Sequence, residues 1–148
     1  MGNFETNGAP YKGAANGQRL HCQLSAVTRM TKQGIKMAVF DVILNEKIAD
    51  LKDLLLADPK CANSIGWHGL TPLHQAVLKN NQEMVDLLLQ HGANVNYPNS
   101  YGETPLHFAC QAASLQCVNK FVEIGAELRA EDSAGRTCIH HAAKSGSM

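Results

Sequence analysis

The sequence predicts an all-α fold, a solenoid of stacked helix-turn-helix pairs. Two observations predict it. Thr71-Pro72-Leu73-His74 returns as Thr104-Pro105-Leu106-His107, and again as Thr137-Cys138-Ile139-His140, each copy thirty-three residues after the last. A fixed period of that length marks an array of one small unit, not a single wound core. Between the copies, apolar residues recur at helical spacing and glycines fall where turns are needed.

The elements are taken in chain order. Residues 1–18 are rich in Gly, Asn and Ala and have almost nothing to bury, so they are expected to be a disordered tail. Residues 19–35 are an ambiguous leader. Leu20, Leu24 and Val27 share a helical stripe that Gly34 is expected to stop. The array is expected from residue 36. Residues 36–68 form a degenerate first unit, in which Met37, Val39, Phe40, Ile43 and Leu44 supply one helix. Ile48, Leu51, Leu54, Leu55 and Leu56 supply a second, and Pro59 replaces the stop glycine. Terminal units of arrays are atypical because their outer face meets water.

Residues 69–101 are the best unit. Thr71 caps a helix whose first position is Pro72, where no N–H is missed. Leu73, Ala76 and Val77 face inward, and Asn80 turns the chain in the left-handed conformation that Asn tolerates. Met84, Val85, Leu87, Leu88 and Leu89 build the second helix, which Gly92 ends before a loop to Tyr101-Gly102. Residues 102–134 repeat the plan with Leu106, Ala109 and Cys110, then Val118, Phe121 and Val122, then Gly125. Ala113 stands at the turn in place of Gly or Asn, which implies a strained turn or a longer helix. Residues 135–148 supply a first helix only, which suggests a fragment of a longer array and leaves Ile139 and Ala143 partly uncovered.

The 148 residues suffice for one domain with a real core. Thirteen basic and thirteen acidic side chains cancel, so no nucleic-acid partner is expected. Residues 1–47 carry six Lys or Arg against three acids, and residues 48–148 seven against ten, a basic front and a mildly acidic array. No apolar run approaches the ~20 residues of a membrane span, and no secretory signal is visible. Five cysteines at irregular spacing indicate free thiols in a reducing compartment, cytoplasm or nucleus.

Gly69-Leu70-Thr71-Pro72-Leu73-His74, the run from Glu83 to Asn96, Gly102-Glu103-Thr104-Pro105-Leu106-His107 and Gly125-Ala126 resemble the ankyrin repeat. The resemblance covers roughly residues 36–148. It implies antiparallel helix pairs with β-hairpin fingers projecting at about a right angle, and a protein partner on the concave face. Carried onto these positions, it places contacts on the fingers at Trp67, His68 and Leu70, then Ser100, Tyr101 and Glu103, with Ser133, Ala134 and Arg136 next. On the first helices it places them at Gln75, Leu78 and Lys79, then Phe108 and Gln111 with Ala112, then His141 and Lys144.

His74, His107 and His140 invite a metal reading. The period sets them about one repeat apart, ~10 Å by ordinary helix packing, whereas zinc ligands lie near ~2 Å from the ion. They are read as structural, their ring nitrogens bonding nearby backbone and the Thr hydroxyl. His140-His141 has no Cys or acid at ligand spacing in the sequence, and Cys110 and Cys117 are read as core. No metal site, cofactor or catalytic residue is expected: there is no nucleophile elbow, phosphate loop or dinucleotide fingerprint. Trp67, Tyr101 and Phe108 are the better contact candidates, since aromatics anchor interfaces, unless Trp67 folds back on the first unit. Met1-Gly2-Asn3-Phe4-Glu5-Thr6 fits an N-myristoylation signal at Gly2, with a basic stretch behind it that would add a second attraction to anionic lipid.

The leading functional expectation is a non-catalytic scaffold that holds a protein partner. Two alternatives stand beside it. One is the regulatory front of a larger enzyme such as a kinase, lipase or acyltransferase. The other is a membrane-linked adaptor that depends on acylated Gly2.

Overall fold

The computed structural model describes residues 32–146. The expectations for residues 1–31, including the tail, the stripe at Leu20–Val27 and acylation of Gly2, lie outside the described residues. Among the described residues seven α-helices succeed one another: α1 (Lys32–Leu44), α2 (Ile48–Ala57), α3 (Pro72–Leu78), α4 (Gln82–Gln90), α5 (Pro105–Gln111), α6 (Leu115–Glu123) and α7 (Cys138–Ser145). Short 3₁₀ turns at Pro59–Asn63 and Trp67–Gly69 connect α2 to α3.

The helices pair α1 with α2, α3 with α4 and α5 with α6, and the pairs stack in two rows. The first helices α1, α3, α5 and α7 touch in sequence, and α2, α4 and α6 form the second row behind them. The core is the strip between the rows. Ile35, Val39 and Ile43, Leu51 and Leu55, Leu73 and Val77, Met84 and Leu88, Leu106, and Cys117 and Phe121 are all buried there. Each fully buried aliphatic or aromatic side chain contributes about 1.5–3 kcal/mol of transfer free energy. The contribution comes from neighbouring units, which is why one unit alone could not stand.

Most inward positions fall where periodicity places them. The exceptions lie at the edges of the strip. Periodicity puts Met37, Leu44, Leu56 and Val122 inside, but they are exposed, while Leu87, Leu89 and Cys110 are half-buried. Helix α1 begins at Lys32, before the expected start at residue 36. Gly34 therefore lies inside a helix and does not stop one. The buried series Ile35, Val39, Ile43, spaced four apart, outweighs the weak helix propensity of one glycine.

The turns between paired helices use left-handed backbone at Glu46 (φ 55°), Asn80 (φ 55°) and Ala113 (φ 56°). Of the two readings for Ala113, the strained turn is the one found, since an alanine there meets a Cβ clash that glycine lacks and that asparagine offsets by local side-chain hydrogen bonding. Helix α7 has no second-row helix beside it among the described residues, and Ile139 on it is 64% exposed.

The fingers differ from the expected β-hairpins: no strand occurs among the described residues. Each finger is a tight five-residue loop whose two ends are joined by a backbone hydrogen bond, with a second bond turning back to its first residue from the fourth. The N–H of Gly66 donates to the Leu70 carbonyl (2.8 Å), Asn99 to Glu103 (2.9 Å) and Asp132 to Arg136 (2.9 Å). Successive fingers are linked by single bonds. Ser100 N–H donates to the His68 carbonyl (2.9 Å), and Ser133 N–H to that of Tyr101 (2.8 Å). One bond per step leaves too little ladder for a strand.

Candidate interaction surface and the histidine ties

The Thr-Pro-Leu-His segment builds the start of each first helix. Nδ1 of His74, His107 and His140 accepts the backbone N–H of Thr71, Thr104 and Thr137 at 3.1, 3.0 and 3.1 Å. The Thr hydroxyls lie 2.8–3.0 Å from the same nitrogens. Each pair forms a capping box, so the helix entrance is closed by its own third residue.

Because Nδ1 accepts, the ring proton sits on Nε2. In His74 that N–H donates to the Glu103 carbonyl (3.1 Å), and in His107 to the Arg136 carbonyl (3.2 Å), each twenty-nine residues downstream. The histidine therefore ties its own cap to the finger stem of the next repeat. Burial pushes His74 down to about 4, against the opposing effect of the Glu103 carbonyl. Burial lowers His107 as well. Both rings are neutral at physiological pH, as a ring that both accepts and donates must be. All three histidines are structural, as the period implies, and the reach across the repeat is an addition to that role.

The finger loops carry the exposed aromatics. Trp67 is 78% exposed, so it does not fold back on the first unit. The room over that unit is taken by Phe40, whose ring lies 2.8 Å from where a Cβ on Gly66 would be. His68, held in left-handed backbone (φ 56°), stacks on Tyr101 with ring centroids 5.9 Å apart, and its Nδ1 lies 3.4 Å from the Tyr101 hydroxyl. Ser100 is exposed beside them, and Ile65 is an exposed apolar neighbour in sequence.

On the first helices, Leu78, Lys79 and Gln111 are exposed and Gln75 is half-buried. Leu70 is also half-buried. Phe108 packs edge-on against His74, centroids 5.2 Å apart, so it is part of the support as well as part of the surface. Glu103 is turned inward, its Oε2 accepting from Asn99 Nδ2 at 3.1 Å.

The third finger corrects one expectation. His141 does have acids near it: Nε2 donates to Asp132 Oδ2 at 2.9 Å and lies 3.9 Å from Glu103 Oε1. Asp132 takes the place of Asn99 and Gly66, one period on. Burial would raise its carboxyl, but the Arg136 N–H, His141, the Ala134 N–H and the Arg136 guanidinium together hold it below the usual carboxylate range.

The described cysteines, Cys61, Cys110, Cys117 and Cys138, are reduced thiols outside any disulfide. Burial, helped by Asp58, pushes Cys61 up to about 11, and burial, helped by Cys138, pushes Cys110 up to about 12. Thiols held this far up carry almost no thiolate at neutral pH, which removes them as nucleophiles. No helix among the described residues is long and apolar enough to cross a membrane.

The family model for ankyrin repeats (3 copies) matches residues 37–132. The chain belongs to the ankyrin-repeat family. Ankyrin repeats generally mediate protein–protein interaction, and the family is generally non-catalytic. The chain has no significant match among curated proteins.

Proposed function

We propose that this protein is a non-catalytic scaffold that grips a protein partner with its finger tips and the adjoining faces of α3 and α5. The observation that carries this reading is Trp67. An indole left 78% in water, beside a His68–Tyr101 stack and an exposed Ile65, is a costly arrangement for a free surface. Aromatic anchors of this kind concentrate binding energy in few residues. Leu78, Lys79 and Gln111 supply the polar and apolar surround on the helix side. Cysteines that stand outside any disulfide support a reducing compartment, cytoplasm or nucleus, as the working environment.

The test compares two baits in parallel capture from cells: the wild-type chain and Trp67→Ala/Tyr101→Ala. The reading expects one or more proteins retained by the wild type and lost by the double variant, with melting within about 2 °C of wild type. Identical capture by both baits would remove the surface.

A further inference from the structure

We propose that Glu103, Asp132 and His141 form a site for one divalent transition ion of the zinc class, which staples α7 and the third finger to the repeat before. One ligand atom from each residue lies within 4.8 Å of the others. Two separations are known individually: Nε2 of His141 stands 2.9 Å from Asp132 Oδ2 and 3.9 Å from Glu103 Oε1. Around a tetrahedral ion with bonds of about 2.0–2.2 Å, ligand atoms stand roughly 3.4 Å apart. Those two separations bracket that figure, and no pair in the set exceeds 4.8 Å, so small rotations of the carboxylates draw the three atoms round a shared point.

The side chains are oriented for this from behind. Asp132 Oδ1 is occupied by the N–H groups of Ala134 and Arg136, both at 2.9 Å, which leaves Oδ2 toward the histidine. Glu103 Oε2 is held by Asn99 Nδ2, which leaves Oε1 toward the same histidine. The His141 ring rests edge-on against His107, centroids 4.9 Å apart. Each carboxylate thus has one oxygen anchored and one able to turn to a shared point, the arrangement that holds first ligands in metal sites. The side chains of Asp132, His141 and Glu103 are 1%, 5% and 16% exposed. Arg136 Nε also bonds Asp132 Oδ2 at 2.9 Å, but its side chain is 44% exposed and leaves toward water when an ion enters.

One imidazole nitrogen and two carboxylate oxygens favour zinc-class ions over magnesium or calcium, which take all-oxygen sets. On binding, the neutral His141 ring changes tautomer: Nε2 releases its proton to solvent and Nδ1 takes one up, so that Nε2 offers its lone pair, while water fills the fourth position. The other repeats do not have the set. Gln75 and Phe108 stand in the register of His141, Gly66 and Asn99 in that of Asp132, and Leu70 and Arg136 in that of Glu103.

The test titrates the metal-stripped full chain with Zn²⁺ and, separately, with Co²⁺. One equivalent is expected to bind, with a rise in melting temperature. The cobalt form should show weak d–d absorption without the intense sulfur-to-metal band. His141→Gln and Glu103→Leu, each a residue found in that register of the first full repeat, should weaken binding at least tenfold. His140→Gln should not. Absence of one-equivalent binding to the wild type overturns the proposal, as does a thiolate band. Undiminished binding in whichever of the two variants keeps the metal-free melting point overturns it too.

Discussion

The ring of His74 ends 3.1 Å from the backbone carbonyl of Glu103, so one side chain closes its own helix cap and grips the next repeat. His107 does the same to Arg136. His140 closes its cap but is exposed. The same four-residue motif therefore carries more weight where a further finger packs against its histidine.

His74→Ala should cost roughly 2–4 kcal/mol, because it leaves the buried Thr71 N–H without a partner and takes away one of the two bonds to the Glu103 carbonyl, the one that crosses the repeat. His140→Ala should cost about 1 kcal/mol or less, the scale of a lost cap. Urea unfolding of the two variants measures both. Equal costs would mean that the bond across the repeat contributes nothing.

Acid should weaken the fold through the same residue. Folded His74 protonates near 4 and an unfolded histidine near 6.5. Between those values the unfolded chain binds more protons, so stability rises with pH and is lost as pH falls from about 6.5 toward 4. The contribution is at most roughly 3 kcal/mol, since one pKa unit corresponds to 1.36 kcal/mol. Urea midpoints at several pH values, with a chelator present, should fall less steeply with acid for His74→Gln than for wild type.

Two glycines with similar backbone separate turn strain from finger stacking. Gly69 (φ 73°) has no room: an added Cβ would lie 2.8 Å from the Ser100 backbone nitrogen. Gly92 (φ 86°) faces open space. Gly92→Ala should cost about 1 kcal/mol, from the left-handed backbone alone. Gly69→Ala should cost more, about 2–3 kcal/mol, and loosen the bond between the Ser100 N–H and the His68 carbonyl. Thermal melts distinguish them.

The family pattern points both Trp67 and Phe108 at a partner, and the structure separates their roles. Phe108→Ala should lower stability by about 1–2 kcal/mol, because its ring packs on His74. Trp67→Ala should leave melting nearly unchanged and weaken partner affinity tenfold or more. A Trp67→Ala variant that melts early would mean the indole supports the fold.

How legible each feature is in the sequence depends on how local it is. Thr71 to His74 is a self-contained cap, so its helix, its proline and its histidine are readable from four residues. The core strip is readable at the middle of each helix, where periodicity is unambiguous, and fails at Met37 and Val122 on its edges. The third-finger cluster escapes motif scanning, which looks for close spacing, because its members are twenty-nine and nine residues apart in the chain. A signal exists: shifting by thirty-three aligns Asp132 with Asn99 and His141 with Phe108, which puts both in the repeat that stacks directly on the one carrying Glu103. Helix α1 starts ahead of its expected position because Ile35 already belongs to the series with Val39 and Ile43, which carries the helix through Gly34. The fingers resemble hairpins in sequence, but one linking bond per step does not make a sheet.

Trp67 is the chain's single tryptophan, so its fluorescence reports on the proposed surface without labels. In the free protein the account predicts a red-shifted emission that acrylamide quenches readily. Saturation with a captured partner should shift the emission to the blue and protect it from quenching. Emission of a buried indole in the free protein, or an unchanged spectrum when the complex has formed, would contradict the placement of the binding surface.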